Sequence, residues 1–111
     1  MSMTTFEFCE ALANKIPDIA TILAEHISDN DEILPHVFLA DVTRYILANG
    51  ASRKQIVKYL DESFTVHGHD IEELIAVSFV EYLVDSDELD IAIEGVDVPN
   101  IRAEWTRQRA M

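Results

Sequence analysis

An all-α fold is predicted by three features of this chain. It holds only three glycines and three prolines in 111 residues, and 49% of it is hydrophobic. Its apolar residues recur at three- and four-residue spacing between helix-start and helix-stop signals, with no paired runs of strand-like alternation. The expected architecture is a compact bundle of five to seven short helices around a central apolar helix, in one globular domain spanning residues 1–111.

Thr4-Thr5-Phe6-Glu7 reads as a capping box opening a first helix, whose inner face carries Phe8, Cys9, Leu12, Ala13 and Ile16. Pro17 ends that helix and suits the first turn of the next, where its missing amide is not needed. Ile19, Ile22, Leu23, His26 and Ile27 then form the second stripe, and Ser28 to Glu32 is a polar break. Pro35 opens a third helix through Val37, Phe38, Val42, Tyr45, Ile46 and Leu47, with Gly50 expected to supply the left-handed stop. Ser52-Arg53-Lys54-Gln55 resembles another capping box. It precedes a fourth helix with Ile56, Tyr59, Leu60 and Phe64 inward, ending at Gly68.

The central helix is expected from about Asp70 to Val84. Asp70, Glu72 and Glu73 suit its first turn, and Ile71, Leu74, Ile75, Val77, Phe79, Val80, Tyr82, Leu83 and Val84 leave it only a narrow polar strip. Leu89, Ile91 and Ile93 alternate with polar neighbours in residues 86–95. An isolated strand would leave its amides unpaired, so a short helix stopped by Gly95 is the better reading. Pro99 starts a last helix through Ile101 and Trp105, whose arginines can reach acidic neighbours.

Charge is the most asymmetric property of the chain. There are 21 Asp and Glu against 8 Lys and Arg, for a net charge of −13. Between Asp61 and Val98 stand twelve carboxylates and no Lys or Arg, so −12 of that charge lies in one segment. Adaptation to high salt would spread acids evenly, whereas a concentrated field of one sign suits attraction of a cationic partner. The candidate partner-binding residues are Asp61, Glu62, Glu72, Glu73, Asp85, Asp87, Glu88 and Asp90. The same charge argues against nucleic acid and anionic membranes, both of which require cationic patches. Arg53, Lys54 and Lys58, and Arg102, Arg107 and Arg109, form clusters too small for a nucleic-acid footprint but suited to pairing with the chain's own acids.

The single Cys9 excludes an internal disulfide and sits among apolar helical neighbours. With no basic-then-apolar leader in Met1 to Glu10 and no run of membrane-spanning length, a cytoplasmic protein is expected. No catalytic, cofactor or metal site is expected. His67-Gly68-His69 could hold a metal with Asp61, Glu62 or Asp70, but it brackets a helix stop and lacks the usual ligand spacing. His26 reads as a hydrogen-bonded interior histidine and His36 as a first-turn residue beside Pro35. Asp29-Asn30-Asp31-Glu32 and Asp85-Ser86-Asp87-Glu88 lack the glycine and final glutamate of a calcium loop and read as solvated turns.

Three stretches carry a family resemblance: Leu34-Pro35-His36-Val37-Phe38-Leu39-Ala40-Asp41-Val42, Val77-Ser78-Phe79-Val80-Glu81-Tyr82-Leu83, and Pro99-Asn100-Ile101-Arg102-Ala103-Glu104-Trp105. Together they resemble a group of small, uncharacterised bacterial helical domains. Some acidic members of that kind are immunity proteins that occlude the active site of a neighbouring toxin. The resemblance implies a protein-binding module acting as an immunity protein or antitoxin toward a basic partner, and no catalytic motif. The alternatives are a metal-assisted or acid-base hydrolase using His67 and His69, and an adaptor or subunit of a larger assembly.

Overall fold

The computed structural model describes residues 3–111. Helix α1 (Thr5–Lys15) opens on the expected box: the Thr4 hydroxyl accepts from the Glu7 amide at 3.0 Å, and Glu7 accepts from the Thr4 amide at 2.9 Å. Pro17 stands at the first turn of α2 (Pro17–Asn30), and Pro35 does the same for α3 (Pro35–Leu47). Helix α4 (Arg53–Ser63) follows, then α5 (His69–Ile75), a π-helical turn (Ala76–Val80) and α6 (Glu81–Ser86). These last three run on without leaving helical geometry, forming one central rod. Helix α7 (Leu89–Ile93) and helix α8 (Pro99–Arg109) complete an all-α fold with no strand among the described residues. The ambiguous segment around Leu89 is thus helical.

One continuous core holds these elements together. Phe8, Leu12, Ile16 and Ile19 from the first two helices meet Phe38, Leu39 and Ile46 of α3, Ile56 and Leu60 of α4, and Ile71, Leu74 and Phe79 of the rod, all essentially solvent-free. The rod is central because α3 packs on its π turn, α8 on α6, and α1 and α4 on α5. It is less apolar around its circumference than the sequence suggests. An uninterrupted α-helix would carry the stripe of Ile71, Leu74 and Ile75 on to Ser78, Phe79 and Tyr82. The extra residue of the π turn moves it to Phe79, Val80 and Leu83, leaving Tyr82 36% exposed, while Val77, off the stripe in either geometry, is 44% exposed.

Several helix ends differ from the sequence expectation, each for a visible reason. Asn49, not Gly50, takes the left-handed conformation after α3, with φ 60°. The Asn49 amide donates to Ile46 O and the Gly50 amide to Tyr45 O, the paired bonds of a Schellman stop. Gly50 is required for space, since a Cβ there would lie 2.2 Å from the Tyr45 ring. Ser52 does not cap α4, because its hydroxyl donates to Asp18 Oδ2 at 2.9 Å and its amide to the Tyr45 hydroxyl at 3.1 Å. Helix α4 stops at Ser63, ahead of Gly68, which instead precedes α5 with φ 102°. The two acidic runs likened to calcium loops are helix stops, with Asp31 and Asp87 left-handed after α2 and α6. Ile27 and Val37 lie on their helices' outer edges at 40% and 46% exposure.

Polar interior contacts fix the connections. His26 is 2% exposed, and its Nε2 accepts from the Leu34 amide at 2.9 Å, tying the α2–α3 turn to α2. Arg53 does not pair with a carboxylate. It is 6% exposed, and its Nη1 donates to Ala92 O at 3.0 Å and Glu94 O at 2.9 Å, satisfying carbonyls at the end of α7. Replacing Arg53 by Met strands both carbonyls, so urea denaturation of Arg53→Met is expected to show a loss of about 2–3 kcal/mol. Lys54→Met, on the exposed side of the same turn, should change stability by less than about 0.5 kcal/mol.

Candidate functional site

The rod and α8 flank a cleft lined by five acidic side chains. It measures about 430 Å³, and Glu72, Glu73, Glu81 and Asp85 line one wall. Glu104, Arg107, Gln108 and Met111 line the other, with Ala76, Val77 and Val84 as apolar surface between them. Two turns of helix and the π turn bring Glu72, Glu73, Glu81 and Asp85 onto one side of the rod. Gln108 closes the junction: its Nε2 donates to Ala76 O at 3.1 Å and to Glu104 Oε2 at 2.8 Å. Ala76 O also accepts from the Glu81 amide inside the π turn, so this carbonyl serves both the rod and α8.

Four carboxylates of the rod therefore face one guanidinium across the cleft, and a fifth, Glu104, stands beside it. That guanidinium is already engaged. Arg107 donates through Nε and Nη2 to Glu104, at 2.9 and 2.5 Å. The Arg107 hydrogen bond holds the Glu104 carboxyl below the usual glutamate range against the opposing effect of burial, with Gln108 assisting. Glu104 in turn raises the Arg107 pKa, and the field of Glu72 adds to that. His69 lines the same wall, with Nε2 3.4 Å from Glu73 Oε2. Glu72, Glu73, Glu81 and Asp85 have no cationic partner of greater strength within reach among the described residues. Their charge is open to an incoming group.

The structure divides the predicted partner-binding set. Glu72, Glu73 and Asp85 share this cleft, and Glu81 and Glu104 join them. Asp87 and Asp90 are exposed and Glu88 half-buried beyond it, with Asp87 Oδ1 3.9 Å from Arg109 Nη1. Glu62 lies elsewhere, in a cleft with Lys15 and Lys58. Asp61 must be withdrawn from the set. It is 5% exposed, and its Oδ1 accepts from the Ile101 amide at 2.9 Å while its carbonyl accepts from Asn100, so it anchors the start of α8. Burial raises the Asp61 pKa, outweighing the amide bonds that lower it, and the charges of Asp97 and Glu62 push the same way. The sequence could not separate Asp61 from its neighbours, although its place on the Ile56, Val57 and Leu60 face of α4 was a signal. Of the C-terminal arginines, Arg109 forms an ion pair with the acidic segment, whereas Arg107 lies across the cleft from it and pairs within its own helix.

The histidines do not assemble a metal centre. Among the described residues no group of three or more His, Cys, Asp or Glu converges. The His67 ring lies 6.4 Å from Phe8, and His69 beside Glu73. One pairing that sequence analysis did not find is His36 with Ser78, Nδ1 to Oγ at 2.7 Å. Ser78 is 8% exposed, and its carbonyl accepts from Thr43 Oγ1 at 3.2 Å, so the pair joins α3 to the π turn. Cys9 is buried, and desolvation pushes its thiol up to about 12, which makes it unreactive. No helix among the described residues is long and apolar enough to cross a membrane.

The chain belongs to the family described as a domain of unknown function (DUF7674), whose model matches residues 9–110. Comparison with curated proteins and with solved structures found no match.

The two buried carboxylates give opposite pH signatures. Glu104 has a lowered folded pKa, so its contribution to stability is complete above the ordinary glutamate value and lost as pH falls through the folded value. Asp61 has a raised folded pKa, so its charge opposes folding once pH exceeds the ordinary aspartate value, and acid relieves that cost. Thermal melts across about pH 3–7 should show Glu104→Gln losing most at neutral pH and converging on the parent protein in acid. Asp61→Asn, which can still accept from Ile101, should stand higher relative to the parent at pH 7 than at pH 3; the reverse order would contradict these environments.

Proposed function

We propose that this protein is a binding module whose cleft between the rod and α8 receives a cationic, partly apolar segment of a partner protein. The observation that carries this reading is the cleft's composition: Glu72, Glu73, Glu81 and Asp85 around Val77 and Val84, with Arg107 engaged by Glu104. Rim carboxylates supply encounter rate and selectivity, and an apolar side chain seated on Val77, Val84 and Met111 supplies affinity. A net charge of −13 favours basic partners at a distance as well as in contact.

Within that class, the role we favour is an immunity protein or antitoxin that occludes the cationic active site of a bacterial toxin. Such inhibition needs a rigid acidic surface and no chemistry from the inhibitor. The rod meets that need, because its π turn is tied to α3 through Thr43 and to α8 through Gln108.

The reading is tested by retrieving partners from the native host with the parent protein and with the Glu72→Gln, Glu73→Gln, Glu81→Gln, Asp85→Asn quadruple variant. A basic protein should be retained by the parent and lost by the variant, and its association with the parent should slow by about tenfold or more from low to physiological salt. The immunity role further requires that co-expression of the parent, and not of the variant, rescues cells from that partner's toxicity. Equal retention by both proteins, or rates indifferent to salt, would overturn the acidic cleft as the binding site.

A further inference from the structure

The chain has three lysines, Lys15, Lys54 and Lys58, and the fold gathers all of them onto one band. Two adjoining clefts form it. The first, about 360 Å³, includes Lys15, Lys58, Tyr59 and Val66, and the second, about 410 Å³, includes Lys54, Lys58, Gly95 and Val96. Gln55 and Lys58 belong to both, so the clefts are continuous, and neither shares a residue with the acidic cleft.

In a chain with 21 acidic residues, these lysines would be expected to find carboxylates. Among the described residues none of them forms an ion pair; the pairs that exist use arginine or histidine. Lys15 lies over the Tyr59 ring instead, 5.3 Å from its centre. Lys54 and Lys58 stand four residues apart on α4, like-charge neighbours that cost the helix stability. Gly95, with φ +77°, makes room for Lys54: a Cβ there would lie 3.1 Å from Nζ.

We propose that this band is a second docking surface, which takes an extended acidic segment of a partner protein. Its geometry favours a segment over a compact anion. Lys54 lines only one cleft, Lys15 only the other, and Lys58 both, so the three lysines follow the length of the two joined clefts. Apolar surface is interleaved with them at Tyr59, Val96 and Val66, the last 57% exposed. Glu62 in the first cleft and Asp97 in the second repel misplaced carboxylates and so restrict the register. With the acidic cleft, this makes a two-faced module able to hold partners of opposite charge, although the band's own test does not depend on the acidic cleft.

The experiment is fluorescence anisotropy of a labelled peptide of alternating glutamate and leucine, titrated with the full chain at physiological salt, where the field of the distant acids is screened beyond about 8 Å. The peptide should bind, and Lys54→Gln and Lys58→Gln should each weaken it by about fivefold, the effect of one exposed ion pair of about 1 kcal/mol. Both lysines are exposed, and circular dichroism checks that each variant is folded. The quadruple acidic-cleft variant should bind the peptide at least as well as the parent. No binding, or unchanged binding by both lysine variants, would overturn the proposal. So would tripolyphosphate displacing the peptide at concentrations where the peptide itself saturates, since that would assign the band to a compact anion.

Discussion

The π turn at Ala76–Val80 is the constraint on which the rest of the molecule depends. A π turn places one more residue in the helix than α geometry allows and loosens its carbonyls from the regular ladder, so it persists only where other groups hold it. Here Ala76 O accepts from both the Glu81 amide and Gln108, and Ser78 O accepts from Thr43. The added residue rephases the rod. It keeps Phe79, Val80 and Leu83 in the core and turns Tyr82 outward. Without it, a regular helix would present Tyr82 to the interior and change which acidic side chains share a wall.

Charge is sorted by residue type. Arg53 and Arg107 act within the fold, one satisfying the end of α7 and the other fixed on Glu104. A planar guanidinium can hold two acceptors in fixed directions, which suits both the buried Arg53 and the exposed Arg107. Among the described residues the lysines stay on the surface and form no ion pair, and the carboxylates of the rod stay open to solvent. An attractive interior and a repulsive exterior coexist because exposed charges interact weakly in water and are screened beyond about 8 Å at physiological salt. Concentrating the exterior carboxylates beside an apolar floor makes their repulsion cumulative, and an incoming cation relieves it.

Much of the architecture was legible because it rests on local rules. The Thr4 box, Pro17 and Pro35 at first turns, and the buried stripes of α1 and α4 depend on neighbours within a turn or two of helix. The short helix near Leu89 followed from the lack of a second strand to pair with. What escaped depends on distant residues. Ser52 was diverted by Asp18 and Tyr45, and Gly50 is needed because of the Tyr45 ring. Asp61 is buried by α8, forty residues further along. The π turn has no local signature at all: Thr43 and Gln108, far apart in sequence, are what hold it. The acidic segment was visible as a segment, but its division between a cleft, a buried anchor and an exposed turn needed the packing of α8 against the rod.

The central claim is that a cationic, partly apolar segment seats between the rod and α8. Its most direct test is residue-resolved NMR of the isotopically labelled protein titrated with a helical peptide bearing lysines on one face and leucines on the other. The account predicts that the largest amide shifts fall together at Glu72, Val77, Glu81, Asp85 and Gln108 and saturate at one peptide per chain. Shifts spread evenly over the acidic surface, or centred away from α8, would contradict it.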